Sequence, residues 1–212
     1  MNRILLGTAQ LSGFRYANLQ APLTRAESFA ILDAAWEMGI RGFDTAESYG
    51  AAADRLEEWL KQKARENAFV TTKVTPGGGL FNRTLGAANR FYPHTTTVYL
   101  HGIPRDRDNW LSLQVATRKL CGVSIYTAFD HSRVCHFGRP HRWQLPISTF
   151  TYFQPEEPCD LRAVFRTGTN VFDPVNQIRW ARFWLRPQDR LVIGVDSPQQ
   201  LEAIARACEP SP

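Results

Sequence analysis

Short apolar runs alternate with amphipathic segments along the chain of 212 residues. The run at residues 4–7 predicts a strand, and residues 24–39 predict a helix because apolar side chains recur on one face. Thr24 and Glu27 have the spacing of a capping box, and Gly39 stands where a C-terminal cap is expected. Counting such segments to the end of the chain gives about eight strands, most of them followed by a helical stretch.

Strands that alternate with helices predict a parallel sheet covered by helices. We therefore expect an α/β fold, a minimal (β/α)8 barrel of the TIM type with reduced helices in its C-terminal half. A doubly wound open sheet is the alternative. No change of composition marks a second domain, so residues 1–208 are expected to form one barrel and residues 209–212 a frayed tail. Within the C-terminal half, residues 131–139 are predicted as a poor helix and residues 143–149 as a short strand.

The composition narrows the class of protein. Apolar residues make up 43% of the chain, which indicates a globular protein, and the formal net charge is +5. The basic residues are scattered, which argues against a nucleic-acid partner. The apolar run at the N-terminus is too short for a signal peptide and no stretch suits a membrane span, so a cytoplasmic protein without a membrane partner is expected. Four cysteines lack metal-site spacing and predict reduced thiols and no metal centre: Cys121, Cys135, Cys159 and Cys208.

Polar side chains end three successive predicted strands. Asp44, Lys73 and His101 end the second, third and fourth strands, and Tyr49 lies five residues after Asp44. In a barrel of parallel strands, this C-terminal edge carries the active site. Each residue alone also fits a structural role, as a cap, a solvated loop end, a core histidine or a packed ring. Their coincidence at one edge predicts an active site.

These residues stand in short motifs that resemble those of the aldo-keto reductase family. The first four motifs are GTAQL at 7–11, FDTAESYG at 43–50, TTKV at 71–74 and YLHG at 99–102. The later ones, in the family's order, are GVSIY at 122–126, QLPI at 144–147, RAVFRTG at 162–168 and VIGVDSPQQL at 192–201. The resemblance implies a (β/α)8 barrel that reduces carbonyl compounds with NADPH, or sometimes NADH, without a Rossmann motif.

The resemblance implies that Asp44, Tyr49, Lys73 and His101 act together in catalysis. A tyrosine hydroxyl, with an ordinary pKa of about 10, donates its proton near neutrality only with help from a neighbouring ammonium. Lys73 supplies that charge in this interpretation, and Asp44 holds Lys73 by a salt bridge. His101 orients the substrate oxygen, Tyr49 is the general acid, and the nicotinamide supplies the hydride.

Expected cofactor contacts lie at later strand ends and at the start of the last helix. By resemblance they are Ser124, Gln144, Phe165, Gly168, Ser197 and Gln200. The first two would hold the nicotinamide carboxamide, and the middle two belong to the segment that would wrap the pyrophosphate. The last two would lie near the ribose phosphate and adenine, at a helix N-terminus that favours anions.

The chain departs from the family pattern in the half that would bind the cofactor. It is shorter than is usual for the family, and it has Ile125 where asparagine is common. Two other functions therefore remain open. One is a redox-neutral acid/base enzyme, an isomerase, dehydratase or cyclase, on a barrel that has lost the nicotinamide cofactor. The other is a non-catalytic binding subunit.

The partner expected for the catalytic functions is a small-molecule substrate. Loops after the strands set specificity in this type of barrel, and reduced loops would leave a mouth open to a bulky or carrier-bound substrate. The apolar segment IRWARFWL at residues 178–185 is a candidate surface for a homodimer, with burial against the barrel as the commoner explanation.

Overall fold

The computed structural model describes most of the N-terminal half of the chain and separate segments of the C-terminal half. The described residues are 4–14, 21–62, 65–75, 78–100, 124–127, 132–134, 150–152, 160–164 and 190–208.

Nine strands in these ranges form one sheet. They are β1 (Ile4–Gly7), β2 (Gly42–Asp44), β3 (Phe69–Val74), β4 (Thr95–Leu100), β5 (Ser124–Thr127), β6 (Ser132–Val134), β7 (Phe150–Tyr152), β8 (Asp160–Val164) and β9 (Arg190–Gly194). Their order across the sheet is β5-β4-β3-β2-β1-β9-β8-β7-β6. Strands β1 to β5, β8 and β9 run parallel to their neighbours within that set, whereas β7 pairs antiparallel with both β6 and β8.

The described residues also contain four α-helices and a 3-10 helix. The α-helices are α1 (Arg25–Glu37), α2 (Ala52–Lys61), α3 (Leu80–Arg90) and α4 (Pro198–Cys208), and the 3-10 helix is Ala9–Ser12. Helices α1, α2 and α3 each connect two neighbouring parallel strands, from β1 through to β4, and α4 follows β9. This alternation is the α/β arrangement that the hydrophobic pattern predicts.

Strand register brings several C-terminal strand ends to one level. Gly7 of β1 lies opposite both Asp44 of β2 and Gly194 of β9. Gly42 allows β2 to pack tightly, because a Cβ atom there would lie 2.4 Å from the ring of Phe69. The polar residues that end β2 and β3 are therefore held at the same edge of the sheet.

The core under the helices centres on Trp59 of α2, which is fully buried. Its ring lies 5.2 Å from that of Phe43 and 5.9 Å from that of Trp36, both in edge-on geometry. The guanidinium of Arg65 stacks 3.5 Å from the Trp59 ring centroid. The Trp59 indole N–H donates to Asp33 at 2.9 Å, and Arg65 pairs with the same carboxylate at 3.2 Å. The Trp59 indole N–H and the Arg65 Nη2 atom thereby share the Asp33 carboxylate as an acceptor.

The caps predicted for α1 are confirmed. The Thr24 hydroxyl oxygen accepts from the Glu27 N–H at 3.2 Å, and the Glu27 carboxylate accepts from the Thr24 N–H at 2.7 Å. Gly39, just after the helix, has a φ of 82°, a conformation in which glycine avoids the steric cost of a side chain.

Some local predictions were wrong. Helix α2 ends at Lys61, although the pattern continues to residue 66, and the Arg65 side chain donates to the Trp59 carbonyl oxygen in its last turn. Within the segment predicted as a poor helix, Ser132–Val134 is a strand that pairs with β7. So short a segment has no period that separates the two conformations. A strand lies at Phe150–Tyr152. The strand expected at 143–149, the helices expected at 107–120 and 176–185, and the tail at 209–212 fall outside the described residues.

Among the described residues, no helix combines the length and the apolar character that crossing a bilayer requires.

Replacing Trp59 tests whether this ring anchors the helical layer. We expect Trp59→Ala to lower the free energy of unfolding by about 3–5 kcal/mol, because it removes a large, fully buried side chain. Trp36→Ala is the matched control, since that ring is only partly buried and should cost less. Urea unfolding monitored by circular dichroism measures both. Equal losses in the two variants would contradict the central role of Trp59.

Candidate active site

An ion pair between Asp44 and Lys73 lies at the C-terminal edge of the sheet. The Lys73 ammonium donates to Asp44 Oδ1 at 2.7 Å, and the two residues are 0% and 2% exposed. Strand geometry explains their meeting. Thr71 lies opposite Asp44, and Lys73, two residues later, has its side chain on the same face of β3. Val70, which precedes Thr71 and so lies on the opposite face of β3, belongs to the core under the helices.

Hydrogen bonds from neighbouring groups complete the surroundings of this ion pair. The Thr71 hydroxyl donates to Asp44 Oδ2 at 3.1 Å, and the Lys73 ammonium donates also to the carbonyl oxygen of Thr45 at 2.8 Å. Charges taken out of water are tolerated only when their hydrogen-bonding capacity is met in this way. The arrangement thus keeps a positive charge in the interior at a fixed position.

Tyr49 lies beside the buried ammonium. The Lys73 Nζ atom is 5.0 Å from the centroid of the Tyr49 ring, and the tyrosine is largely buried. A turn presents the ring, since the Tyr49 N–H donates to the Ala46 carbonyl oxygen at 3.1 Å and Gly50 follows with a φ of 53°. Phe14 packs over Gly50, where a Cβ atom would come within 2.4 Å of its ring. The tyrosine ring is therefore held near a cation.

The loop between β2 and α2 is bound to the end of β3. The Thr45 N–H donates to the Thr71 carbonyl oxygen at 2.9 Å, and the Glu47 N–H donates to the Lys73 carbonyl oxygen at 3.1 Å. The Glu47 carboxylate also accepts from the Thr75 N–H at 2.7 Å. Glu47 was not predicted as a site residue, because its position within FDTAESYG does not show which backbone groups it contacts.

A buried glutamine marks the ends of β1 and β9. Gln10 is 6% exposed, and within the described part of the chain its Oε1 atom has no hydrogen-bond partner. Its carboxamide lies over Gly194, where a Cβ atom would come within 2.4 Å of Nε2. A buried acceptor without a partner is uncommon in native proteins and is suited to a donor group on a ligand. Gln10 was not predicted as a site residue either, although it stands in the GTAQL motif.

The other residues with expected functions are placed only in part. Ser197 and Gln200 lie at the start of α4, where the Gln200 side-chain oxygen accepts from the Asp196 N–H at 2.9 Å. Burial raises the pKa of the Asp196 carboxyl above its ordinary range, which places a partly desolvated acid beside Ser197. Ser124 begins β5, opposite Thr97. The remaining expected residues fall outside the described part of the chain: His101, Gln144, Phe165 and Gly168.

The chain is similar to known oxidoreductases over its first half. Residues 3–96 match the model of the aldo/keto reductase family. Pyridoxal 4-dehydrogenase of Microbacterium luteolum is 44% identical over 71 residues, which cover 32% of this chain and 19% of that protein. D-threo-aldose 1-dehydrogenase of a Pseudomonas species is 43% identical over 59 residues, 27% of this chain and 18% of that protein. The chain thus spans about a fifth of the length of these curated relatives.

The fold is also that of solved aldo-keto reductases. The thermostable aldo-keto reductase Tm1743 superposes with a TM-score of 0.62, covering 100% of this chain and 91% of that chain at 16% identity. At this identity the likeness concerns the fold alone. It confirms the expected α/β fold of the TIM-barrel type.

The energetic coupling of Asp44 and Lys73 can be measured by a double-mutant cycle. We expect Asp44→Ala and Lys73→Met each to lower the free energy of unfolding by about 3–5 kcal/mol, because each leaves a buried charge without its partner. The double variant should lose much less than the sum. Lys61→Met is the control, since Lys61 forms an exposed ion pair with Glu57. Additive losses in urea unfolding would show that the two buried groups are not coupled.

The raised pKa of Asp196 predicts a pH-dependent effect on stability. A carboxyl that binds its proton more tightly in the folded state contributes stability at low pH, and this contribution is lost as pH rises through the folded pKa. Asp196→Asn removes this loss. We therefore expect the stability of Asp196→Asn relative to the wild type to increase from acidic to neutral pH. Thermal unfolding across that range measures it, and a difference that stays constant or decreases contradicts the assignment.

Proposed function

We propose that this chain, whose residues 3–96 match the model of the aldo/keto reductase family, reduces a carbonyl or imine group of a small organic substrate with a nicotinamide dinucleotide. The observation that carries the proposal is the buried Lys73–Asp44 ion pair beside the ring of Tyr49. Reduction of a carbonyl requires one proton at oxygen and one hydride at carbon. The described residues offer a means of supplying the proton.

In the proposed reaction, Tyr49 donates its hydroxyl proton to the substrate oxygen. The Lys73 ammonium stabilises the phenolate that forms, because an adjacent positive charge favours the anionic state. Asp44 keeps the ammonium in place through the 2.7 Å contact. The resemblance assigns His101 to orient the substrate oxygen. The dinucleotide, when bound, supplies the hydride.

The described residues fit such a cofactor at the ends of β1 and β9. Gln10 has a buried acceptor oxygen available to an amide or hydroxyl donor, and Gly194 leaves no side chain above it. By resemblance, Ser124 and Gln144 would hold the carboxamide, while Phe165 and Gly168 would lie along the pyrophosphate. Ser197 and Gln200 would lie near the adenosine ribose.

NADPH is the coenzyme that the resemblance favours, and we propose it with NADH tested beside it. Both coenzymes are tested because a negative charge on the protein near the ribose would disfavour the additional phosphate of NADPH. Asp196 places a carboxylate next to Ser197, and a 2′-phosphate carries negative charge that a carboxylate repels. The resulting preference is read directly from the ratio of the two dissociation constants.

Two curated relatives suggest the first substrates to assay. Their names specify pyridoxal and D-threo-aldoses, both of which are dehydrogenase substrates of those proteins. We therefore propose aldehydes and aldoses as the substrate class, assayed in both directions because hydride transfer between an alcohol and a carbonyl is reversible.

Tyr49→Phe tests the assigned general acid. We expect kcat for carbonyl reduction to fall by about 10²–10⁴-fold, while coenzyme binding is unchanged, because only the transferred proton is removed. Turnover is followed by the absorbance of reduced nicotinamide, and binding by its fluorescence. Tyr92→Phe is the control, because Tyr92 is exposed and lies after α3.

Three outcomes separate this function from the others. Absence of binding of either coenzyme at high concentration would reject the reductase function. Proton transfer on an isomerase- or dehydratase-type substrate, lost in Tyr49→Phe, would then favour the redox-neutral enzyme. Turnover unchanged in Tyr49→Phe would reject both catalytic functions.

A further inference from the structure

We propose that Glu47 is a positioning residue, whose carboxylate holds the loop that carries Tyr49 against the strand that carries Lys73. The inference rests on the proposed function, because it concerns the same tyrosine and lysine. Glu47 does not act on the substrate in this proposal. It acts by setting where the ammonium lies relative to the phenol ring.

Main-chain hydrogen bonds extend the pairing of β2 and β3 beyond the last residue of β2. The loop donates through Thr45 to Thr71 at 2.9 Å and through Glu47 to Lys73 at 3.1 Å. These alternate residues reproduce the ladder of a parallel pair of strands. Glu47 therefore contacts the backbone of Lys73 itself. The distance between Lys73 and Tyr49 is the one that matters for the proposed proton transfer.

The side chain of Glu47 adds the next contact along β3. Its Oε1 atom accepts from the Thr75 N–H at 2.7 Å. Glu47 thereby binds the backbone at Lys73 and at Thr75, on both sides of Val74, where β3 ends. Strand β2 ends at Asp44, and on that side of β3 the Glu47 carboxylate supplies the acceptor for the Thr75 N–H.

Arg83 of α3 orients the carboxylate. Its Nε atom donates to Glu47 Oε2 at 3.2 Å, and its Nη2 atom donates to Oε1, which gives a two-point contact. Both side chains are partly exposed, so the ion pair contributes little to global stability. Its effect is geometric, since a forked guanidinium fixes the plane of a carboxylate.

The position of this loop bears directly on the proposed proton transfer. Tyr49 lies two residues after Glu47, and its ring centroid is 5.0 Å from Lys73 Nζ. Loss of the Glu47 contact allows the loop and the end of β3 to separate. A displacement of the order of 1 Å in a catalytic group costs about 10²-fold in rate. A weak surface contact can therefore have a large effect on turnover.

Three substitutions distinguish an effect on the position of the loop from an effect of the negative charge of Glu47. Glu47→Gln keeps an oxygen acceptor for the Thr75 N–H and removes the negative charge. Glu47→Ala removes both. Glu58→Ala is the matched control, because Glu58 of α2 forms an exposed ion pair with Arg25 that lies outside the site.

Turnover is the first measurement. We expect Glu47→Ala to lower kcat by about 10–10²-fold with unchanged coenzyme affinity, and Glu47→Gln to stay within about threefold of the wild type. Glu58→Ala should match the wild type. Equal kcat in Glu47→Ala and Glu58→Ala, or equal losses in Glu47→Ala and Glu47→Gln, would overturn the proposal.

Titration of Tyr49 is the second measurement, and it needs no turnover. The ultraviolet phenolate signal of Tyr49 is obtained by subtracting the same protein carrying Tyr49→Phe. Among the described residues, Lys73 lies over this ring and pairs with Asp44, and Glu47, two residues before Tyr49, pairs with Arg83.

The sign of the change in the pKa of Tyr49 distinguishes loss of positioning from loss of the Glu47 charge. Loss of positioning moves the ammonium away and raises the pKa of Tyr49 in Glu47→Ala only. Loss of charge alone leaves Arg83 uncompensated and lowers that pKa in both variants. A lowered pKa in both would overturn the proposal. If the wild type neither binds coenzyme nor turns over, the reductase function fails, and the titration still decides the role of Glu47.

Discussion

The site depends on one constraint, the need to satisfy a lysine ammonium that is entirely shielded from water. Lys73 meets it with the Asp44 carboxylate at 2.7 Å and the Thr45 carbonyl oxygen at 2.8 Å. Both partners come from the end of β2. Strands β2 and β3 must therefore keep their register for the Lys73 ammonium to keep its hydrogen-bond acceptors. A shift of one residue would turn Asp44 to the opposite face of the sheet and leave the ammonium without its counter-ion.

The same register places the side chains of β2 and β3 on two faces of the sheet that have different roles. Phe43 and Val70 point under the helices and join the core that surrounds Trp59. The alternate residues Asp44 and Lys73 point to the other face and form the site. Rigid packing on the first face thus holds the ionic groups on the second, which is how a barrel scaffold keeps catalytic geometry on well-ordered elements.

Contacts of intermediate strength link this scaffold to the loop that carries Tyr49. The turn at Ala46 and the glycine at position 50 shape the loop, whereas Glu47 attaches it to the end of β3. Each of these bonds is individually modest. They act on groups whose separation determines an electrostatic interaction, so in the proposed function their effect on turnover exceeds their contribution to global stability.

Sequence patterns predicted the α/β alternation, the cap of α1 at Thr24 and Glu27, and the polar residues Asp44 and Lys73 near the ends of β2 and β3. Periodicity and capping are local properties, so they are legible in the order of residues. The stop of α2 at Lys61, the contact of Glu47 with Thr75 and the burial of Gln10 over Gly194 became visible only in three dimensions. These depend on which backbone groups lie near one another in space, often between elements far apart in the chain. Periodicity carries no information on such pairings, because each side chain would suit several different partners equally well.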